Sequence, residues 1–144
     1  MKKISALPTG TKLLLVGTVA VFLNLSLTWQ RIEVDFGAAG RAEQLLDGWD
    51  AWGLLIGLLA LGLLVLTVLV YLTEVELPED VPWDLASLVA AALLLVATTL
   101  KNLTDEGSTT ASYAGIALAG LVLVGAYLNV RRTRAERTSS AVNA

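Results

Sequence analysis

At 144 residues the chain is one domain's worth of polypeptide, yet it is 56% hydrophobic and only 16% charged, more apolar than a water-soluble domain of that size requires. Its apolar residues fall in long blocks rather than along one amphipathic face, which points to a chain solvated by lipid. A net charge of −3 with no basic–aromatic stripe excludes nucleic acid as a partner, and the lack of cysteine and histidine excludes disulfides, thiolate nucleophiles and Cys/His zinc, iron–sulfur or bis-His haem sites.

Four windows contain no Asp, Glu, Lys or Arg: 13–30, 51–73, 85–100 and 107–130. A helix rises about 1.5 Å per residue and the hydrocarbon core is about 30 Å thick, so a crossing needs roughly 20 residues. The second and fourth windows meet that length and the first nearly does. The third meets it only if the helix runs past Lys101, whose ammonium can snorkel to the headgroups. A re-entrant helix is the alternative for 85–100, but Trp83 before it and Asn102 after it read as two interfaces. The expectation is one integral membrane domain over 1–144, an all-α four-helix transmembrane bundle with helices at about 12–30, 50–72, 84–103 and 111–131.

In chain order, residues 1–10 form a basic lead-in broken by Pro8 and Gly10. The run from Leu13 to Trp29 lacks the small-x-small cleavage site of a signal peptide, so a retained first helix is expected. Residues 30–49 are the longest loop. Ile32, Val34 and Phe36 alternate with Arg31, Glu33 and Asp35, which predicts a short extended piece broken at 37–40. One amphipathic turn carrying Leu45 and Leu46 is expected over 41–47, the whole forming a short extracytoplasmic cap. Gly48-Trp49-Asp50-Ala51-Trp52-Gly53 opens the second helix. Trp49 and Trp52 fit interfacial anchors, and Asp50 suits the anion-favouring N-terminus.

The connector 74–84 holds Glu74, Glu76, Glu79, Asp80 and Asp84 without a base, and Pro78 and Pro82 stop the helix from continuing. Asp84 is expected to cap the third helix, and the connector's acids to pair with the C-terminal arginines. Asp105-Glu106-Gly107 marks a turn before the fourth helix, and the tail over 132–144 is expected to be flexible. With four crossings, both termini share a side bearing Lys2, Lys3, Lys12, Arg131, Arg132, Arg134 and Arg137, seven bases, against Arg31, Arg41 and Lys101 on the other. The positive-inside rule then places both termini in the cytoplasm of a multi-pass cell-membrane protein.

The candidate interface residues lie within and at the ends of these spans. Gly53-xxx-Gly57, and Ala111-xxx-Gly115-xxx-Ala119, put small residues on one helix face, where close backbone approach replaces the hydrophobic drive that lipid removes. Packing within the bundle is the expected use. Asn24 needs a partner inside the bundle, as do Thr67 and Thr98. Asp50 and Lys101 both fall at the outer helix ends, and boundary charges tend to pair, so the two are expected within ion-pair reach, directly or through Asn102 or water. No carboxylate lies mid-membrane, which argues against a proton-coupled exporter. No nucleophile elbow, glycine-rich phosphate cradle or metal motif is present, so no catalytic, cofactor or metal residue is assigned.

Thr9-Gly10-Thr11-Lys12-Leu13, Leu27-Thr28-Trp29, the GWDAWG segment at 48–53, Pro82-Trp83, the run 100–105 and the Arg-ended fourth helix together resemble a group of uncharacterised small four-helix actinobacterial membrane proteins with a GWDxWG-type motif. The resemblance covers most of the chain and implies a four-span bundle. It carries over no functional residue. The expected role is a non-enzymatic accessory, scaffolding or assembly protein whose partners are the bilayer and other membrane proteins or copies of itself. A small-solute channel or transporter acting as an oligomer is the alternative. A pore would need a continuous polar path through Asn24, Thr67 and Thr98; an accessory protein would have a dry, packed centre.

Overall fold

In the computed structural model, which describes residues 6–142 other than 74, 76 and 79, four helices alternate in direction and a two-stranded hairpin sits between the first and second. The elements are α1 (Thr9–Asn24), β1 (Thr28–Asp35), β2 (Arg41–Asp47), α2 (Ala51–Tyr71), α3 (Trp83–Thr104) and α4 (Thr110–Val142). Each helix packs against the next, and α1 closes the ring against α4. The hairpin, the start of α2 and the α3–α4 turn share one end. The α2–α3 connector lies at the other. The chain is therefore mostly helical, but the expectation of an all-α fold is corrected by the sheet.

Three of the helices, α2, α3 and α4, are long and apolar enough to cross a membrane. The first is shorter than the sequence predicts. α1 stops at Asn24 instead of continuing to residue 30, because Thr28 and Trp29 are taken into β1. At about 1.5 Å per residue its 16 residues span roughly 24 Å. α4 departs in the other direction. It carries on as helix to Val142, through the segment expected to be a tail.

The packing is inverted relative to a water-soluble bundle. The inward stripe of α2 is Gly53, Ile56, Gly57, Ala60, Leu63 and Thr67, and that of α3 includes Ser87, Ala91, Leu94, Ala97 and Thr98. The large aliphatic side chains of the same helices, Leu54, Leu58, Leu61 and Val65 on one and Leu85, Val89, Leu93 and Val96 on the other, are exposed. Large apolar side chains facing outward, beside an inward stripe that includes glycine, alanine and hydroxyl residues, is the arrangement that lipid solvation favours and water penalises. The core itself is apolar, built on Leu14, Val21, Ile56, Leu63, Leu94 and Val122. Thr18, Thr67 and Thr98 are buried there, but each donates its hydroxyl to the carbonyl four residues earlier, so none needs a partner across the bundle.

The backbones of α1 and α4 approach closely. A Cβ built on Gly125 would lie 2.8 Å from the Gly10 carbonyl oxygen and 2.9 Å from the Leu14 amide, and one on Gly17 would lie 2.7 Å from the Val122 side chain. Asn24 at the far end of α1 meets Gly115. The two helices thus run antiparallel along the full length of α1.

The hairpin begins where the sequence alternates, and Ile32 and Val34 are half-buried between exposed Arg31, Glu33 and Asp35. Its return strand was expected as a helical turn. Residues 41–47 are instead extended and paired with β1 in the register Asp35↔Arg41, Glu33↔Glu43, Arg31↔Leu45. Gly37 and Gly40, at φ 63° and 96°, make the turn that brings them together, backbone conformations which glycine adopts without strain.

Candidate functional site

The hairpin end concentrates the polar chemistry of the chain. The register of the sheet slips between Thr28 and Gln30, leaving Trp29 as the extra residue of a bulge. A bulge bends the strand and re-aims a side chain. Here it turns the indole of Trp29 into the bundle, where it is fully buried and donates from Nε1 to the Asn24 carbonyl at 2.8 Å. The ring lies against Gly115, where a Cβ would come within 2.7 Å of it. The strand is held from above by the α3–α4 turn. Arg31 N donates to Gly107 O, Thr109 N donates to Trp29 O at 3.0 Å each, and the Thr109 hydroxyl donates to Thr28 O.

Beneath Trp29 lies Lys101, with no exposed surface. Its Nζ forms an ion pair with Asp50 and a second with Asp105 Oδ2 at 2.8 Å, and sits 5.5 Å from the Trp29 ring centroid. The expected approach of Asp50 to Lys101 is therefore direct, without Asn102 as an intermediary. Asp50 does two jobs. Its Oδ1 accepts from Gly53 N at 2.9 Å, capping α2 as the sequence predicts, while Oδ2 reaches across to α3. Lys101 also stands in the last turn of α3, where a cation complements the helix dipole. Asn102 faces elsewhere, donating to Ser112 Oγ at 2.7 Å and so tying α3 to α4.

The ammonium thus binds the start of α2, the end of α3 and the hairpin base into one unit. With both carboxylates and an aromatic face engaged, it is a lock rather than an available nucleophile. Among the described residues no cluster of three or more acidic side chains is placed to hold a metal.

The other sequence candidates are distributed around this unit. Trp49 is half-buried on the end of α1, edge-on to Phe22 with ring centroids 5.2 Å apart and donating to Ser26 Oγ at 3.2 Å. Gly57 makes room for it, since a Cβ there would lie 2.6 Å from the indole. Gly53 faces the Gly48 carbonyl of its own preceding loop. Its small size serves that turn. Trp52 is exposed, and Ala119 is fully buried in the core. Asn24 faces the bundle as expected, but its Oδ1 has no hydrogen-bond partner among the described residues. No continuous polar path joins Asn24, Thr67 and Thr98 among the described residues, because apolar core side chains separate them.

A second polar cluster, at the opposite end, was not expected from the sequence. The Tyr71 hydroxyl donates to Asp84 Oδ1, and the Thr133 hydroxyl to Asp84 Oδ2 at 2.6 Å, joining α2, α3 and α4 through one carboxylate. Asp84 was expected to cap α3. It lies instead in the first turn, and Pro82 occupies the cap position with no side-chain hydrogen bond. Nearby, Thr11 donates to Asn129 Oδ1 at 3.4 Å across the α1–α4 contact. The expected pairing of Glu74, Glu76 and Glu79 with the tail arginines lies outside the described residues.

No protein-family model, no curated protein and no solved structure matches this chain.

Proposed function

We propose that the chain is a non-enzymatic integral membrane protein of accessory, scaffolding or assembly type, crossing the bilayer four times with both termini in the cytoplasm and the hairpin outside. Three helices long and apolar enough to cross, with large aliphatic side chains facing outward on each, support the membrane placement. α1 is the fourth crossing. It is short, but it lies antiparallel along the apolar part of α4 from Gly125 to Gly115, so it traverses the same slab. Leu25 and Trp29, both fully buried, extend its apolar reach at the outer end.

The apolar core of the bundle supports an accessory role over a channel. A conduction path needs polar groups free to replace a solute's water. The bundle's central threonines spend their hydroxyls on their own helices. The surface offered to partners is then the hairpin, whose strand β2 is almost wholly exposed and whose unpaired edge is a template for another chain. Phe36 and Leu45 are 59% and 56% exposed on it. A photo-crosslinking residue placed at Leu45 in the cell membrane is expected to give discrete protein adducts, and purified protein in liposomes to pass no small solutes. Solute flux without adducts would replace this reading with the oligomeric channel.

A further inference from the structure

At the α2–α3 connector end, Arg134 and Arg137 stand three residues apart on α4 and line a cleft of about 460 Å3 with Trp83, Asp84, Thr133 and Leu85. That size falls in the usual range of small-ligand sites, about 300–1,000 Å3. Neither guanidinium has a carboxylate partner among the described residues, whereas Arg132 is paired with Glu136 at 2.7 Å and Arg131 stacks over Tyr127. Asp84, whose two oxygens accept hydroxyl hydrogen bonds from Tyr71 and Thr133, forms no ion pair with either arginine among the described residues, and two guanidiniums beside one carboxylate leave the described lining net positive. α3 begins here without a side-chain cap, so its free N–H groups add partial positive charge at the same level. The cleft opens directly into an apolar furrow along α3, lined by Pro82, Leu85, Ala86, Val89, Ala90 and Leu93.

We infer that this cleft and furrow bind one anionic phospholipid of the cytoplasmic leaflet, its phosphate between Arg134 and Arg137 and one acyl chain along α3. The inference rests on the membrane reading above. Two cations without a carboxylate partner among the described residues, above a continuous apolar strip, match the two halves of a phospholipid. A free anion would use the cations and leave the strip uncovered. Trp83 supports the depth, because its side chain lines the cleft while Nε1 donates to the Pro78 carbonyl at 3.0 Å, the posture of an aromatic at the headgroup level.

The test reconstitutes the full chain and compares retention of phosphatidylglycerol with that of phosphatidylcholine by mass spectrometry of the intact protein released from mild detergent. Each arginine near an anionic surface contributes enough to change the preference roughly fivefold. R134Q and R137Q are each expected to lower the preference by about that factor, and R131Q, which removes the same charge at the same end, to leave it nearly unchanged. A90F, which fills the furrow without altering charge, is expected to weaken retention as well. Loss in R131Q equal to that in R134Q would mean diffuse surface charge and overturn the site. Displacement of the lipid by inorganic phosphate would make the ligand a free anion and overturn it equally. If the chain remains monodisperse with no amphiphile at all, the membrane reading fails first, and that outcome is distinguishable from retention without headgroup preference.

Discussion

A lysine with no solvent contact survives in this fold because two carboxylates and an indole replace its water. The attraction of such a group to its partners roughly offsets desolvation, so the triad adds little net stability while intact. Breaking it is another matter. K101M leaves Asp105, whose side chain is 7% exposed, facing an uncharged neighbour, and is expected to cost about 3–5 kcal/mol. The double variant K101M/D105N removes both charges and should recover much of that loss. Asp50 is less demanding, with 43% of its side chain exposed. D50N keeps a capping side chain and is expected to cost under about 1 kcal/mol, with D50A costing about 1 kcal/mol more for the lost cap. Thermal unfolding in detergent orders the four variants. A K101M protein melting with the parent would show that the lysine is not held as described. Two of the three charges, Lys101 and Asp50, were legible as a pair in the sequence, since charges at the ends of neighbouring helices have few ways to be satisfied. Asp105 was read only as part of a turn, although its place four residues after Lys101 puts the two on one helical face. Trp29 could not have been placed, because its direction depends on a bulge that exists only once β2 pairs.

Between elements, backbone proximity decides the outcome. The Gly10–Gly125 approach leaves no space for a methyl group. G125A pushes a Cβ to 2.8–2.9 Å from the backbone of α1, which cannot rotate away, and is expected to destabilise by about 1–3 kcal/mol. Gly120, five residues earlier on the same helix, has nothing within 4 Å of its Cβ direction, so G120A is expected to be neutral or slightly stabilising. Equal melting of the two variants would mean that α1 and α4 are not packed as closely as drawn. Gly53 and Gly57, and Gly115 and Ala119, are legible as small residues four apart, whereas Gly10 and Gly17 share a face of α1 at a spacing of seven and are the ones that bring it against α4. The charge-free windows located all four helices. They did not fix where α1 ends, because Thr28 and Trp29 carry no charge and so extend the window, yet are claimed by the sheet. Strand β2 shows the same override. Arg41–Asp47 is made of helix-forming residues, but seven are too few to sustain a helix alone, while β1 offers a complete ladder opposite them.

For the whole molecule, the number of crossings decides which side each end occupies, and α1 is the helix on which that number turns. Its 16 residues fall short of the hydrocarbon thickness by about 6 Å. A short crossing is accommodated by local thinning of the bilayer at modest cost, and α1 is further fixed by its glycine contact with α4. The chain has no cysteine, so a single introduced thiol reports its own position. Ala6, Ala38 and Ser140 are exposed at the start of the described chain, the hairpin tip and the end of α4. With four crossings, a membrane-impermeant maleimide added to intact cells is expected to label A38C, and to reach A6C and S140C only after lysis. With three, A6C would be labelled together with A38C, and α1 would lie outside the hydrocarbon. Labelling of A6C and S140C but not A38C would invert the molecule, putting the hairpin in the cytoplasm and the arginine cleft on the outer leaflet. That result would remove the anionic cytoplasmic lipid as its ligand, while leaving the bundle, the lysine lock and the α1–α4 contact unchanged.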